Sequence, residues 1–290
     1  MTVQRPNVSL SFEFFPPRSP EAIGKLEVTR LRLARLAPEF FSVTFGAGGS
    51  TRELTLETAL ATRAATGIDT APHVSCIGTP LVQIRAVLAR YLEVGVKRIV
   101  ALRGDLPSGT TEQGELRHAN ELVSFIRAET GRAFVIEVAA YPEFHPQAPS
   151  AKLDLLNFTR KVDAGADGAI TQYFYNPDAY FRFVDSVHKL GVTVPILPGI
   201  MPITNSSQLL RFSEMCGAEI PRWIVKRLHD FGDDRVAIRN FGIDVTTALC
   251  ARLIERGAPG LHFYTMNQFE ASEAICRDLG LGPRGDAPGA

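Results

Sequence analysis

Glu13 lies in the run Ser-Phe-Glu-Phe-Phe-Pro-Pro, a carboxylate set among apolar rings. Loss of water disfavours the charged form and raises the pKa, so this setting predicts an acid that keeps its proton near neutral pH. General acid catalysis is the chemistry such a group performs. A structural pairing with an arginine is the alternative. Asp105, in Ala-Leu-Arg-Gly-Asp-Leu-Pro, follows a glycine that lets the backbone approach a ligand closely, or else caps its own turn. Gln172, in Ala-Ile-Thr-Gln-Tyr-Phe, both donates and accepts, which suits a ring with a mixed hydrogen-bonding edge.

His73 and His145 raise the question of a metal-dependent hydrolase. The chain has no H-x-H or H-E-x-x-H pattern, so single hydrogen-bonding histidines are expected and no metal ligand is assigned. Nor is there a Walker A motif. A G-x-G-x-x-G match at Gly280–Gly285 follows a helix instead of a strand and lacks the context that motif needs. Gly46-Ala47-Gly48-Gly49, with Thr44 just before it, is better placed to cradle a ligand.

These residues stand at the ends of extended apolar segments. Strands are predicted over 9–15, 40–45, 70–76, 97–103, 134–140, 168–174, 194–200 and 260–266. Helices are predicted over 20–36 (with Ser19 as N-cap), from near 51, and over 80–94, 117–130, 150–164, 178–190, 205–216 and 268–279. Near-continuous apolar strands alternating with helices indicate an α/β fold with a parallel sheet. About eight such units with no linker favour a single closed (β/α)8 TIM barrel over an open doubly wound sheet. The stretch 217–258 exceeds one unit and predicts an extra helical segment before the eighth strand. One catalytic domain over 1–290 is expected, with a core of about 9–280 and a frayed Gly/Pro-rich tail. In a parallel barrel every strand's carboxyl end faces one mouth. Glu13, Thr44, His73, Arg103, Asp105, Tyr141, His145 and Gln172 should therefore converge there.

Composition agrees with an enzyme of this kind. Apolar residues make up 45% and charged residues 21%, with 31 basic and 31 acidic side chains. A balanced charge argues against broad binding to nucleic acid or an anionic membrane. The start MTVQRPNVSL lacks the apolar run of a signal peptide, and no stretch is long enough to span a bilayer. A cytoplasmic location is expected, with Cys76, Cys216, Cys250 and Cys276 as reduced, mostly buried thiols and the three glycosylation-like triplets fortuitous.

Several segments in register resemble the bacterial methylenetetrahydrofolate reductases. They are residues 11–17, Ser-Val-Thr-Phe-Gly-Ala-Gly-Gly (42–49), Ala-Pro-His-Val-Ser-Cys (71–76), 101–105, Ala-Ala-Tyr-Pro-Glu-Phe-His-Pro (139–146), 161–166, 170–174, Pro-Gly-Ile-Met-Pro (198–202) and Leu-His-Phe-Tyr-Thr-Met-Asn (261–267). The resemblance implies an FAD-containing barrel that reduces 5,10-methylenetetrahydrofolate to 5-methyltetrahydrofolate with NADH or NADPH in one-carbon metabolism, as a homo-oligomer. It makes Glu13 the acid that opens the five-membered ring and Asp105 the carboxylate beside flavin and pterin. By the same likeness Thr44, Phe45, His73, Arg103, Gly104, Asp105, His118, Ala119, Tyr141, His145, Ala148, Asp154, Asn157, Arg160 and Lys161 match FAD-contacting positions. Gln172, Gln208, Phe212 and Gln268 match substrate-binding positions. Phe45 stands where tyrosine is common and Gln268 where arginine is often found, which removes a hydroxyl and a cation. The large regulatory region of eukaryotic members is not expected. A proline-oxidising type of flavoenzyme and a flavin-bearing subunit served by a protein electron partner are the alternatives.

Overall fold

Residues 8–45, 52–105 and 114–282 are described in a computed structural model. Period-two alternation decides what each strand sends to either side of the sheet. In β1 (Ser9–Phe14), Leu10, Phe12 and Phe14 join the apolar layer between sheet and helices, while Ser11 and Glu13 make their contacts inside the ring of strands. β2 (Phe40–Val43) and β9 (Gly260–Tyr264) flank β1 in parallel, which sets Ser42 and Tyr264 beside Glu13, and His262 beside Ser11. Phe12 stacks on Phe263 with ring centroids 5.5 Å apart, and Phe14 lies 5.1 Å from Phe41. Each ring taken fully out of water stabilises the layer by about 1.5–3 kcal/mol.

The ring continues through β3 (Asp69–Ser75), β4 (Arg98–Leu102), β5 (Val135–Ala140) and β6 (Gly168–Thr171), every pair parallel. The seventh stave is broken into β7 (Ile196–Leu197), which pairs with β6, and β8 (Gly199–Ile200), which pairs with β9. Pro198 makes the break. It has no N–H for the ladder, its carbonyl accepts from the His262 N–H at 3.0 Å, and the next N–H, of Gly199, donates to Thr171 Oγ1 at 2.8 Å. The expected eight-unit barrel is thus present, with nine strand segments among the described residues and one stave in two pieces.

Helices α1 (Pro20–Ala34), α2 (Arg52–Thr66), α3 (Leu81–Glu93), α4 (Ala119–Thr130), α5 (Ala151–Asp163) and α6 (Pro177–His188) follow the first six strands. Ser19 caps α1 as expected, its hydroxyl accepting from the Ala22 N–H at 3.2 Å. After β8 come α7 (Ser206–Cys216), α8 (Arg222–Phe231) and α9 (Arg235–Glu255), then β9 and α10 (Glu270–Asp278). The extra segment in 217–258 is therefore two helices. The long α9 packs beside α6 and α10 in the outer ring and sends Ile238, Phe241 and Val245 into a second apolar cluster, built on Tyr173, Tyr175, Met201 and Ile203, that α7 and α8 also cover. Gly242 lets α9 press against the Ile203 carbonyl, where a Cβ would collide.

Strands end earlier than the sequence suggests. β2 stops at Val43 and β6 at Thr171, so Thr44, Phe45 and Gln172 belong to the loops of the mouth. At the opposite end Arg98 joins Glu137 at 2.5 Å and Glu39 at 2.6 Å, and lies 4.4 Å from the Phe40 ring centroid. Gly168 leaves the space that the Glu137 carboxylate fills. All four cysteines are free, and Cys76, Cys250 and Cys276 are buried. Among the described residues no helix is long and apolar enough to cross a membrane. The Gly-rich run 46–49 and residues 283–290 of the tail lie outside the described residues, so the expectations placed on them are untouched.

Candidate active site

Glu13 stands at the carboxyl end of β1, on the wall of a cavity of about 360 Å³ that opens at the barrel mouth. Thr44, Phe45, His73, Tyr141 and Gln172 line the same cavity, with Val100, Leu102, Ile170, Met201 and Tyr264 as apolar and aromatic walls. Six of the expected residues thus come together around one space.

The carboxylate of Glu13 retains 16% exposure, and three side chains converge on its Oε2. Ser42 Oγ donates at 3.3 Å, His73 Nε2 lies at 3.2 Å and His262 Nε2 at 3.5 Å. Both ring nitrogens are buried at ion-pair range but off the line of a good hydrogen bond, and neither has another partner. The expectation of a raised pKa is corrected here. Burial does push the carboxyl up, but the electrostatic attraction and hydrogen-bonding edges of His73 and His262 outweigh it and hold Glu13 at about 2. The apolar neighbours visible in sequence, Phe12 and Phe14, belong to the outer layer, whereas the groups that face the carboxylate come from other strands.

His262 went unnoticed in the sequence. It is fully buried, its Nδ1 lies 2.8 Å from Ser11 Oγ, and its ring stacks over Phe40 at 5.9 Å. The signal was parity. In β9, His262 and Tyr264 fall on the same face as Ser11 and Glu13 in β1. The Tyr264 hydroxyl donates to the Thr171 carbonyl at 2.7 Å, and burial pushes its phenol well above its ordinary value.

Beyond the cavity a second band of polar residues runs over the ends of β4 and β5. Tyr141 meets His145 edge to face at 4.5 Å. The Asp154 carboxylate accepts from the His145 N–H at 2.9 Å, and Ala148 closes the same turn on the His145 carbonyl. Arg103 donates to Gln147 at 2.7 Å and to the Gly104 carbonyl at 3.1 Å, with Asp105 3.8 Å away. On α5, Arg160 donates to Asn157 at 2.8 Å, and Lys161 donates to the Ala139 carbonyl beneath the cavity wall. Burial lowers the Lys161 ammonium to about 8, although Asp154 acts in the opposite sense.

Asp105 is 87% exposed and does not line the cavity. His118 and Ala119 start α4, where the Glu121 carboxylate accepts from the His118 N–H. Gln208 and Phe212 lie on α7, half-buried, and Gln268 is exposed in the turn after β9. None of these five lines the cavity. Among the described residues no three His, Cys, Asp or Glu side chains are arranged to hold a metal ion.

A parallel barrel with a carboxylate, two imidazoles and an amide at its carboxyl mouth defines an α/β-barrel enzyme. Residues 2–280 match the family model for methylenetetrahydrofolate reductase. The chain is 40% identical over 276 residues to 5,10-methylenetetrahydrofolate reductase of Escherichia coli (strain K12), covering 95% of this chain and 92% of that protein. The 5,10-methylenetetrahydrofolate reductase of Buchnera aphidicola subsp. Acyrthosiphon pisum (strain APS) is 40% identical over 278 residues, covering 96% and 94%. "Methylenetetrahydrofolate reductase (NADH) 1" of Zea mays is 37% identical over 94% of this chain but 48% of its own length. A solved structure from Clostridium thermocellum, described as binding two copies of 5-methyl-5,6,7,8-tetrahydrofolic acid, superposes with a TM-score of 0.68 at 17% identity, covering 95% and 96%. That likeness shows the shared fold. The chain belongs to the methylenetetrahydrofolate reductase family.

Proposed function

We propose that this chain reduces 5,10-methylenetetrahydrofolate to 5-methyltetrahydrofolate, with FAD as its cofactor, NADH or NADPH as electron donor, and Glu13 as the proton donor. The observation that carries this reading is a carboxylate held by three polar side chains against the wall of an otherwise mainly apolar cavity. A methylene bridge between two nitrogens accepts hydride poorly until one C–N bond opens to an iminium, and opening requires a proton on the leaving nitrogen.

At rest Glu13 is ionised, with the histidines as its counter-groups. A pterin covering the remaining exposed edge would remove the last water from the carboxylate. Desolvation then favours the neutral form and draws a proton onto Oε2, next to the substrate nitrogen. Gln172, its side-chain oxygen now accepting from the Tyr173 N–H at 3.0 Å, keeps its amide N–H₂ free to meet a pterin edge. Asp105, on the rim, adds negative charge that favours a cationic iminium.

The residues present fit a flavin dinucleotide. Lys161, Arg103 and Arg160 supply cations for a pyrophosphate, and Thr44, His73, Tyr141, His145 and Asp154 supply hydrogen-bonding groups for ring and ribityl oxygens. When bound, the flavin supplies the hydride. His118, Ala119, Ala148 and Asn157 complete the proposed cofactor contacts. Gln208 and Phe212, on α7, and Gln268 are proposed to reach substrate from the rim.

The test is Glu13→Gln examined in separate half-reactions. Folate reduction should fall by at least about 10²-fold, the scale of general acid catalysis, while flavin reduction by the nicotinamide stays near that of the parent protein. Equal loss of both would show that Glu13 is structural.

A further inference from the structure

Ser11, His262 and Glu13 form a line running from inside the barrel to the cavity, and cofactor contacts do not account for its two inner members. His262 has no exposed surface, so it does not touch a ligand in the cavity. Its imidazole is nevertheless oriented from both sides. Ser11 Oγ holds Nδ1 at 2.8 Å, Phe40 stacks on one face, and Tyr264 meets the ring edge to face at 5.3 Å. These contacts leave Nε2 3.5 Å from Glu13 Oε2, out of line for a good hydrogen bond and with no other partner. A buried donor left in that state costs free energy comparable to a lost hydrogen bond. Such a cost is accounted for if the nitrogen engages its neighbour during turnover.

We propose that His262, aligned by Ser11, is a positioning residue that governs which atom of the Glu13 cluster carries the transferable proton. This rests on the reading of Glu13 as proton donor. In the step envisaged, imidazolium Nε2–H of His262 passes its proton to Glu13 Oε2, so the imidazolium becomes neutral and the carboxylate becomes a carboxylic acid. Glu13 then protonates the folate nitrogen as the C–N bond breaks. The bonding pair stays on nitrogen, and Glu13 returns to carboxylate. One proton is consumed per turnover and is replaced from water through the exposed edge of Glu13.

Around the carboxylate, β2 contributes Ser42, β3 His73, and β9 His262, held from behind by Ser11 of β1, and Tyr264, whose phenol is engaged with Thr171. His73 is the second imidazole on the same oxygen, and it faces the cavity. His73 is therefore open to a ligand in the cavity, whereas the polar neighbours of His262 are Ser11 and Glu13. The resting balance described above, in which imidazoles overcome the effect of burial, is what the loss of His262 would upset.

The experiment is isotope-edited infrared titration of the Glu13 carboxyl in the full chain without substrate, assigned by subtraction of Glu13→Gln. It is run on the parent protein, Ser11→Ala, His262→Leu and His262→Gln. Ser11→Ala and His262→Leu should raise the carboxyl's midpoint by at least about one pH unit, a tenfold change in its proton equilibrium. His262→Gln, which keeps an N–H donor at similar reach, should recover part of that shift. The pH profile of folate reduction should move with the carboxyl, and flavin reduction by the nicotinamide should not. Ser11→Ala removes a single hydroxyl and preserves packing, so it carries the test if His262→Leu fails to fold. A Glu13 titration that superimposes on the parent's in folded Ser11→Ala would overturn the proposal. If the carboxyl shifts but folate reduction ignores it, the relay stands and the role given to Glu13 fails.

Discussion

The side-chain amide of Asn267 clasps both backbone groups of Phe15, accepting from its N–H at 3.0 Å and donating to its carbonyl at 2.9 Å. Thr265 adds a third tie, its hydroxyl donating to the Glu13 carbonyl at 2.7 Å. The turn after β9 thus fixes the end of β1, and with it the direction in which Glu13 leaves the strand. Asn267 occupies left-handed backbone with φ of 57°, which asparagine tolerates better than most residues. Asn267→Ala should lose about 1–3 kcal/mol for the unpaired groups of Phe15, plus about 1–2 kcal/mol for the left-handed backbone. Asn267→Gly should lose only the first. Chemical denaturation of both variants separates the two contributions, and equal losses would refute the conformational part.

Arg98 and Glu137 form a charge pair at 2.5 Å in the barrel wall, and burial still keeps the Glu137 carboxyl above its ordinary value. Removing one partner leaves the other buried and unpaired. Arg98→Met should cost about 3–5 kcal/mol, whereas Arg98→Met with Glu137→Leu should recover most of it. Urea denaturation of the single and double variants checks this. The pair lies at the end away from the cavity, so the double variant should bind the proposed FAD as the parent does.

Lys161 gives a pH dependence with a definite sign. In the free protein its ammonium loses its proton through about 8, because burial disfavours the charge. An anionic cofactor stabilises the protonated form, so binding takes up a proton above that value. FAD affinity should therefore fall as pH rises beyond about 8, by up to about tenfold per pH unit. In Lys161→Arg the fall should disappear, since guanidinium stays charged. Fluorescence titration of apoprotein with FAD across this range reads the slope, and a parent slope unchanged in Lys161→Arg would count against the assignment.

Gly242 sits where α9 crosses the loop after β8, and an added Cβ meets the carbonyl of Ile203. Gly242→Ala forces the helix away and should destabilise by about 1–3 kcal/mol despite alanine's better helix propensity. Thermal melting decides between strain and propensity, because a raised melting temperature would mean the contact relaxes at no cost.

Barrel architecture was legible because near-continuous Val, Ile and Phe runs separated by helical stretches admit few other parallel folds. Glu13, His73, Tyr141 and Gln172 were legible as a group because parallel strands point their carboxyl ends one way. Neither signal carries electrostatics. Phe12 and Phe14 made Glu13 look desolvated and neutral, yet they point away from it, and the groups that set its charge come from β2, β3 and β9. His262 was hidden within an apolar strand, where a single polar residue reads as filler until its register against β1 is known. The fate of 217–258 was half legible, since length alone announced additional helix but not that it divides into α8 and α9, or that both join α7 over a second apolar cluster.

The split at Pro198 makes the wall of this protein a ribbon whose two free edges are halves of the same stave. The two edges are therefore joined through one short run of backbone, and a shift of either piece strains the other. Adding or deleting one residue between β7 and β8 would put the two pieces out of step, so that one of them turns its inward-facing side chains outward.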